Sequence, residues 1–117
     1  MHKYDLEERT EKFSEHVIDF CNSAKKSMIT RPLISQLVRS ATSIGANYCE
    51  ASAASSKKDF KNKIHICKKE AQETCYWLRL IAKSDKENAE KAKLLEGEVY
   101  QFVLIFGKIL SSVSKNK

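Results

Sequence analysis

A single proline and three glycines are all that punctuate 117 residues, and such scarcity of breakers favours long helices over a turn-rich fold. Nowhere do strand-forming residues alternate with polar ones over a useful length, so no sheet is expected. No apolar run reaches the roughly 18 residues that a membrane-spanning helix needs, and no membrane partner is expected. Residues 1–20 are charged throughout and hold no apolar segment of the secretory type, so the expected location is cytoplasmic.

Catalytic signatures are missing as well. The chain has no CxxC, no HExxH, no Gly-rich phosphate loop and no Glu-x-x-His pair of the kind that builds di-iron sites in bundles. Cysteines stand at 21, 49, 67 and 75. Cys67 and Cys75 would lie about 12 Å apart along a helix, beyond the reach of a disulfide. His65 and Cys67, two residues apart, point to different sides of a helix. The cysteines are expected to be reduced, small apolar fillers. No catalytic residue, metal site or cofactor is expected, and the protein is read as a binding protein rather than an enzyme.

What is present is helical periodicity. Four segments emerge, at about 5–26, 31–53, 57–83 and 86–114, within a single domain spanning 1–117. The first carries Leu6, Phe13, Val17, Phe20 and Ala24 as an apolar stripe, with Glu7, Glu8, Glu11, Glu15 and Asp19 between them. The third repeats the pattern with Phe60, Ile64, Cys67, Ala71, Cys75 (or Thr74), Leu78 and Ala82. The fourth has Ala92, Leu95, Val99, Phe102, Phe106, Ile109 and Val113, a seam of three heptads. Thr30 is the expected N-cap of the second helix, Ser55 or Ser56 of the third, and Ser84 or Asp85 of the fourth. Gly97 and Gly107 are positions where a neighbouring helix could approach closely. Short connections make neighbours antiparallel, so the expected fold is all-α: an up-down-up-down four-helix bundle.

Two helix faces depart from what a lone bundle requires. Between Pro32 and Cys49 the only charged residue is Arg39. The rest of that surface is small or neutral, and charge depletion marks buried interface cores. Ser35, Arg39, Thr42 and Ala46 are therefore expected to meet a second copy of the chain, supported by Tyr100, Val103, Leu104 and Ile105 lying off the main stripe of the fourth helix. The other departure is charge. The net charge is +6, and residues 57–69 hold six lysines against one aspartate, whereas residues 5–19 hold six acids against two bases. Lys57, Lys58, Lys61 and Lys68 fall with His65 on one side of the third helix, flanked by Lys63 and Lys69. With Arg39 and Arg79 they form the expected nucleic-acid-binding set, through phosphates rather than base edges.

The stretch Arg31-Pro-Leu-Ile-Ser-Gln-Leu-Val-Arg-Ser-Ala-Thr-Ser-Ile-Gly-Ala-Asn-Tyr-Cys-Glu-Ala51, followed by Ser56-Lys-Lys-Asp-Phe60 and Lys69-Glu-Ala-Gln-Glu-Thr-Cys-Tyr-Trp-Leu78, carries a further signal. It resembles the bacterial four-helix-bundle family of proteins encoded in intervening sequences of 23S ribosomal RNA genes. Relatives of that family include the accessory proteins of diversity-generating retroelements. The resemblance implies a homopentameric barrel with a basic surface, and partners that are RNA or DNA and a reverse transcriptase or other protein. Arg31 and Arg39 match the family's basic positions on the second helix, and Lys57 and Lys58 its basic start of the third. Cys49 departs from the pattern, because many relatives carry a basic residue there. The two functional expectations are thus a non-catalytic nucleic-acid-binding homo-oligomer and a protein–protein adaptor without a nucleic-acid role.

Overall fold

The computed structural model describes residues 3–115, with side chains from Asp5 to Ser114. Four α-helices follow one another: α1 (Lys3–Ser23), α2 (Thr30–Ser52), α3 (Lys57–Ser84) and α4 (Ala89–Lys115). A 3-10 turn, Lys86–Asn88, leads into α4, and there is no strand among the described residues. The helices form a rod-shaped bundle, 49 × 21 × 19 Å. Each helix packs on its sequence neighbours and α1 also closes on α4, while α1 and α3 lie on a diagonal and their backbones do not come close. The contacts run antiparallel. On α2 and α3, Ile44 faces Cys67 and Ser40 faces Thr74. Arg79 of α3 pairs with Glu96 of α4, and Lys68 reaches the backbone of α4 at Gly107.

The core follows from the stripes. Leu6, Phe13, Val17, Phe20 and Ala24 of α1 are buried, as are Ile64, Cys67, Ala71, Cys75 and Leu78 of α3 and Ala92 to Phe106 of the α4 seam. Phe60, Ala82 and Ile109 pack on this core from half-buried positions. Phe13 meets Phe102 edge to face with ring centroids 5.6 Å apart, the arrangement that aromatic quadrupoles prefer. Of the three glycines, Gly45 is the one packed tightly: an added Cβ would sit 3.2 Å from Oγ1 of Thr10 on α1. The two glycines expected to serve such a contact do not: Gly97 faces open space and Gly107 faces only the end of the Lys68 side chain.

The ends of the helices differ in detail from expectation. The first segment stops at Ser23 rather than Lys26, and Lys26 turns back to donate from Nζ to the carbonyls of Cys21 and Ala24. Thr30 does not cap α2 from outside. It forms a reciprocal pair with Ser27: the Ser27 hydroxyl accepts from the Thr30 N–H at 3.1 Å, and the Thr30 hydroxyl accepts from the Ser27 N–H at 2.8 Å. Such mutual satisfaction of early N–H groups is a capping box, with Ser27 as the cap. Ser56 caps α3 as expected, accepting from the Asp59 N–H at 3.0 Å.

Ser84 or Asp85 is the expected cap of the last helix, and Asp85 stands at the N-cap of the 3-10 turn that leads into it. Its carboxylate also reaches across the end of the bundle to accept from the Lys25 N–H at 2.8 Å, and accepts from Asn88 Nδ2 at 2.9 Å. This ties the α1–α2 link to the α3–α4 link. Burial by itself would raise the pKa of Asp85, but these hydrogen bonds outweigh it and hold the carboxyl below its ordinary value.

Candidate nucleic-acid interface

The helical repeat divides the six lysines of residues 57–69 among three directions. Lys57, Lys58, Lys61 and His65 line a groove on the α4 side of α3, closed by Asn62 and by Val113 and Ser114 of α4. Lys68 continues the same side and extends its ammonium over Gly107. Lys69 points outward and is exposed. Lys63 turns the other way, toward α2, and pairs with Glu50 at 2.7 Å. That bond holds the Lys63 ammonium above its ordinary pKa. Among the described residues, Lys58, Lys61, Lys68 and Lys69 have no carboxylate partner.

Arg39 and Arg79 do not join that groove. Arg39 crosses from α2 to α3, where its guanidinium meets Glu70 at 3.1 Å and also Glu73. Partial burial pulls its pKa down, and the two carboxylates outweigh this and hold it above the ordinary value. Arg79 pairs with Glu96 at 3.0 Å. Exposed pairs of this kind contribute little to stability, but they lower the charge offered to a phosphate. Arg79 lies at the opposite end of the α3–α4 face, in a second groove with Lys83, Lys86 and Lys93 over a floor of Ala82 and Ala89. The lysines of this second groove escaped sequence reasoning because they come from three elements. The one available signal was the spacing of four between Arg79 and Lys83.

Between the two grooves the surface changes character. Tyr76 is 49% exposed, and Tyr100 and Leu104 of α4 are 53% and 51% exposed. The diagonal helix is the electrostatic opposite: Glu8, Glu11, Glu15 and Asp19 of α1 are all exposed. The bundle therefore carries acid along α1 and base along the α3–α4 face.

The outer face of α2 carries the residues expected to meet a second copy. Ser35 and Ala46 are exposed and Thr42 is half-buried. Its polar side chains turn back on their own helix: Thr42 donates to the Val38 carbonyl at 2.7 Å, Ser43 to Arg39 at 2.8 Å and Asn47 to Ser43 at 2.8 Å. Hydroxyls so satisfied cost less to bury than free ones.

The described residues include no cluster of three metal-ligating side chains, and no helix is long and apolar enough to cross a membrane. Burial pushes the Cys67 thiol up to about 12 and the Cys21 thiol up to about 11, so neither is a thiolate at neutral pH.

Comparison with known proteins places this geometry. The model of the family described as 23S rRNA-intervening sequence protein matches residues 2–106. The crystal structure of a protein of unknown function from the S23 ribosomal protein family of Bacteroides thetaiotaomicron is similar, with 27% identity and a TM-score of 0.81. The match covers 95% of this chain and 99% of that one. No curated protein matches.

Proposed function

We propose that this chain, which belongs to the 23S rRNA-intervening sequence protein family, is a non-catalytic nucleic-acid-binding protein that acts as a homo-oligomer. One observation carries the reading: the α3–α4 face gathers Lys58, Lys61 and Lys68, which have no carboxylate partner among the described residues, while Glu8, Glu11, Glu15 and Asp19 are exposed on the diagonal helix α1. Cations in that state can each neutralise a phosphate and release its counterion. An acidic polypeptide could use single cations, but a face this long suits a polyanion of regular charge spacing.

Self-association is the second half of the reading. On the α2 face the hydroxyls of Thr42 and Ser43 are already satisfied, and Arg39 has its charge already matched. Such a surface fits a subunit contact better than a solvent face. The resemblance supports five copies. An assembly that repeats the lysine groove would convert a weak contact into avidity.

The test is retention of duplex DNA or structured RNA at low salt by the parent and by the variant carrying Lys58→Glu, Lys61→Glu and Lys68→Glu. Loss of retention with unchanged helix content supports the reading, and equal retention overturns it. The adaptor reading has its own observation in the exposed Tyr76, Tyr100 and Leu104. It requires a parent that binds no nucleic acid at any salt concentration and a polypeptide partner that is lost when Tyr100 and Leu104 become Ser.

A further inference from the structure

The second groove gives the α3–α4 face a length as well as a charge. Lys83 lies 22 residues beyond Lys61 on one uninterrupted helix, a rise of about 33 Å. One turn of B-form duplex measures about 34–36 Å. The near groove offers Lys58, Lys61 and His65 beside α4, and the far groove offers Lys83, Lys86 and Lys93 around the Arg79–Glu96 pair. Each groove is a concavity of similar size, about 660 and about 630 Å³.

Cations are sparse between them. The central strip holds Tyr76, Tyr100 and Leu104, with Lys68 and Lys69 toward its near end. A single strand presents phosphates at every step and would leave several of them over this strip without partners. A duplex laid along the helices brings each of its two strands to the protein once per turn, so two contacts one turn apart fall on the same strand. The separation of the two grooves, about 33 Å from Lys61 to Lys83, matches the distance between successive crossings of one strand.

We propose that Lys83, Lys86 and Lys93 form a second phosphate-binding subsite, and that the α3–α4 face of one protomer holds a duplex at two backbone crossings one helical turn apart. This rests on the nucleic-acid reading above and adds to it the form of the ligand, its orientation along the bundle and three residues. Arg79 lines the far groove with its charge paired to Glu96.

The test uses fluorescence anisotropy with duplex DNA of about 8 and about 20 base pairs, shorter and longer than the span of one turn. The parent is compared with a far variant, Lys83→Gln, Lys86→Gln and Lys93→Gln, which leaves Arg79 and Glu96 in place. Circular dichroism and light-scattering mass confirm that each protein keeps its helices and its assembly. A Lys83→Arg, Lys86→Arg, Lys93→Arg variant serves as the charge-conserving control and is expected to bind as the parent does.

The far variant is expected to stay within about twofold of the parent on the short duplex and to lose at least about tenfold on the long one. Its log–log salt slope on the long duplex should fall by about 2 to 3, near 0.9 for each phosphate that is no longer neutralised. Parity of the far variant with the parent on the long duplex overturns the second subsite and leaves the near groove standing. A parent that prefers a single strand of equal length over the long duplex overturns the duplex assignment. A parent that binds neither length overturns the nucleic-acid reading itself, and the subsite with it.

Discussion

Helices α1 and α3 bury their stripes by the same rule and present opposite charges to solvent. Phe13, Val17 and Phe20 of α1 are as fully enclosed as Ile64, Ala71 and Leu78 of α3. Outside, α1 shows Glu8, Glu11, Glu15 and Asp19, and α3 shows Lys58 and Lys69 with His65. The two helices lie on a diagonal, so their outer faces look away from each other and the charges do not cancel across the bundle. Core spacing therefore accounts for the fold on both sides and for function on neither. The difference lies in residues that the fold leaves free to vary, and electrostatics of that kind governs partner choice and association rate rather than stability.

The largest effect is expected where the two sides are alike. Phe13→Ala and Phe102→Ala each remove a buried ring and should each cost about 3–5 kcal/mol. Because the rings touch, the double variant should lose less than the sum of the two. Urea unfolding followed by the fluorescence of Trp77, the only tryptophan, measures all three. Strict additivity would mean that α1 and α4 do not share a core layer.

The next effect concerns the bond that holds the two hairpins together. Asp85→Asn keeps the shape of the side chain and removes the charge that receives the Lys25 N–H, at a cost of about 1.5–3 kcal/mol. The folded pKa of Asp85 lies below its ordinary value. Its contribution is therefore complete above the unfolded carboxyl pKa of about 3.9 and is lost as pH falls through the folded value. The parent should lose stability more steeply than the variant below about pH 4. Parallel acid limbs in the two proteins would remove Asp85 from the account.

The smallest effect sharpens the contrast between packed and open glycines. Gly97→Ala meets no atom within 4 Å in the protomer and should stabilise α4 by about 0.8–1 kcal/mol. Gly45→Ala must move Thr10 and should gain less than that, or lose. Equal gains at both positions, read from the same urea curves, would contradict the close α1–α2 approach.

Much of this was legible in the sequence, and the boundary has a physical cause. The stripes of α1, α3 and α4 depend on spacing within one helix, which the sequence displays directly. The capping box of Ser27 and Thr30 was half legible: a cap was expected there, but one residue was assigned the role that two share. Asp85 was legible as a cap but not as a tie to Lys25, which lies 60 residues away and is brought near only by the packing of two links. The same applies to the candidate site. The lysine groove at Lys58 and Lys61 is a local pattern on one helix and was foreseen. The capture of Arg39 by Glu70 and Glu73, of Lys63 by Glu50 and of Arg79 by Glu96 depends on which helices are neighbours and in what register. Lys83, Lys86 and Lys93 meet only once α4 folds back along α3.

The central claim is that charge segregation between α1 and the α3–α4 face creates a nucleic-acid surface. It is tested most directly by titrating one labelled duplex of about 20 base pairs, at several salt concentrations, against three proteins. These are the parent, the Lys58→Glu, Lys61→Glu, Lys68→Glu variant, and a control with Glu8→Gln, Glu11→Gln and Glu15→Gln on α1. The parent's affinity is expected to fall steeply with salt, the lysine variant to be weaker by at least about tenfold at low salt, and the control to bind as well as the parent or better. A lysine variant indistinguishable from the parent, or an α1 control that loses binding, would contradict that claim.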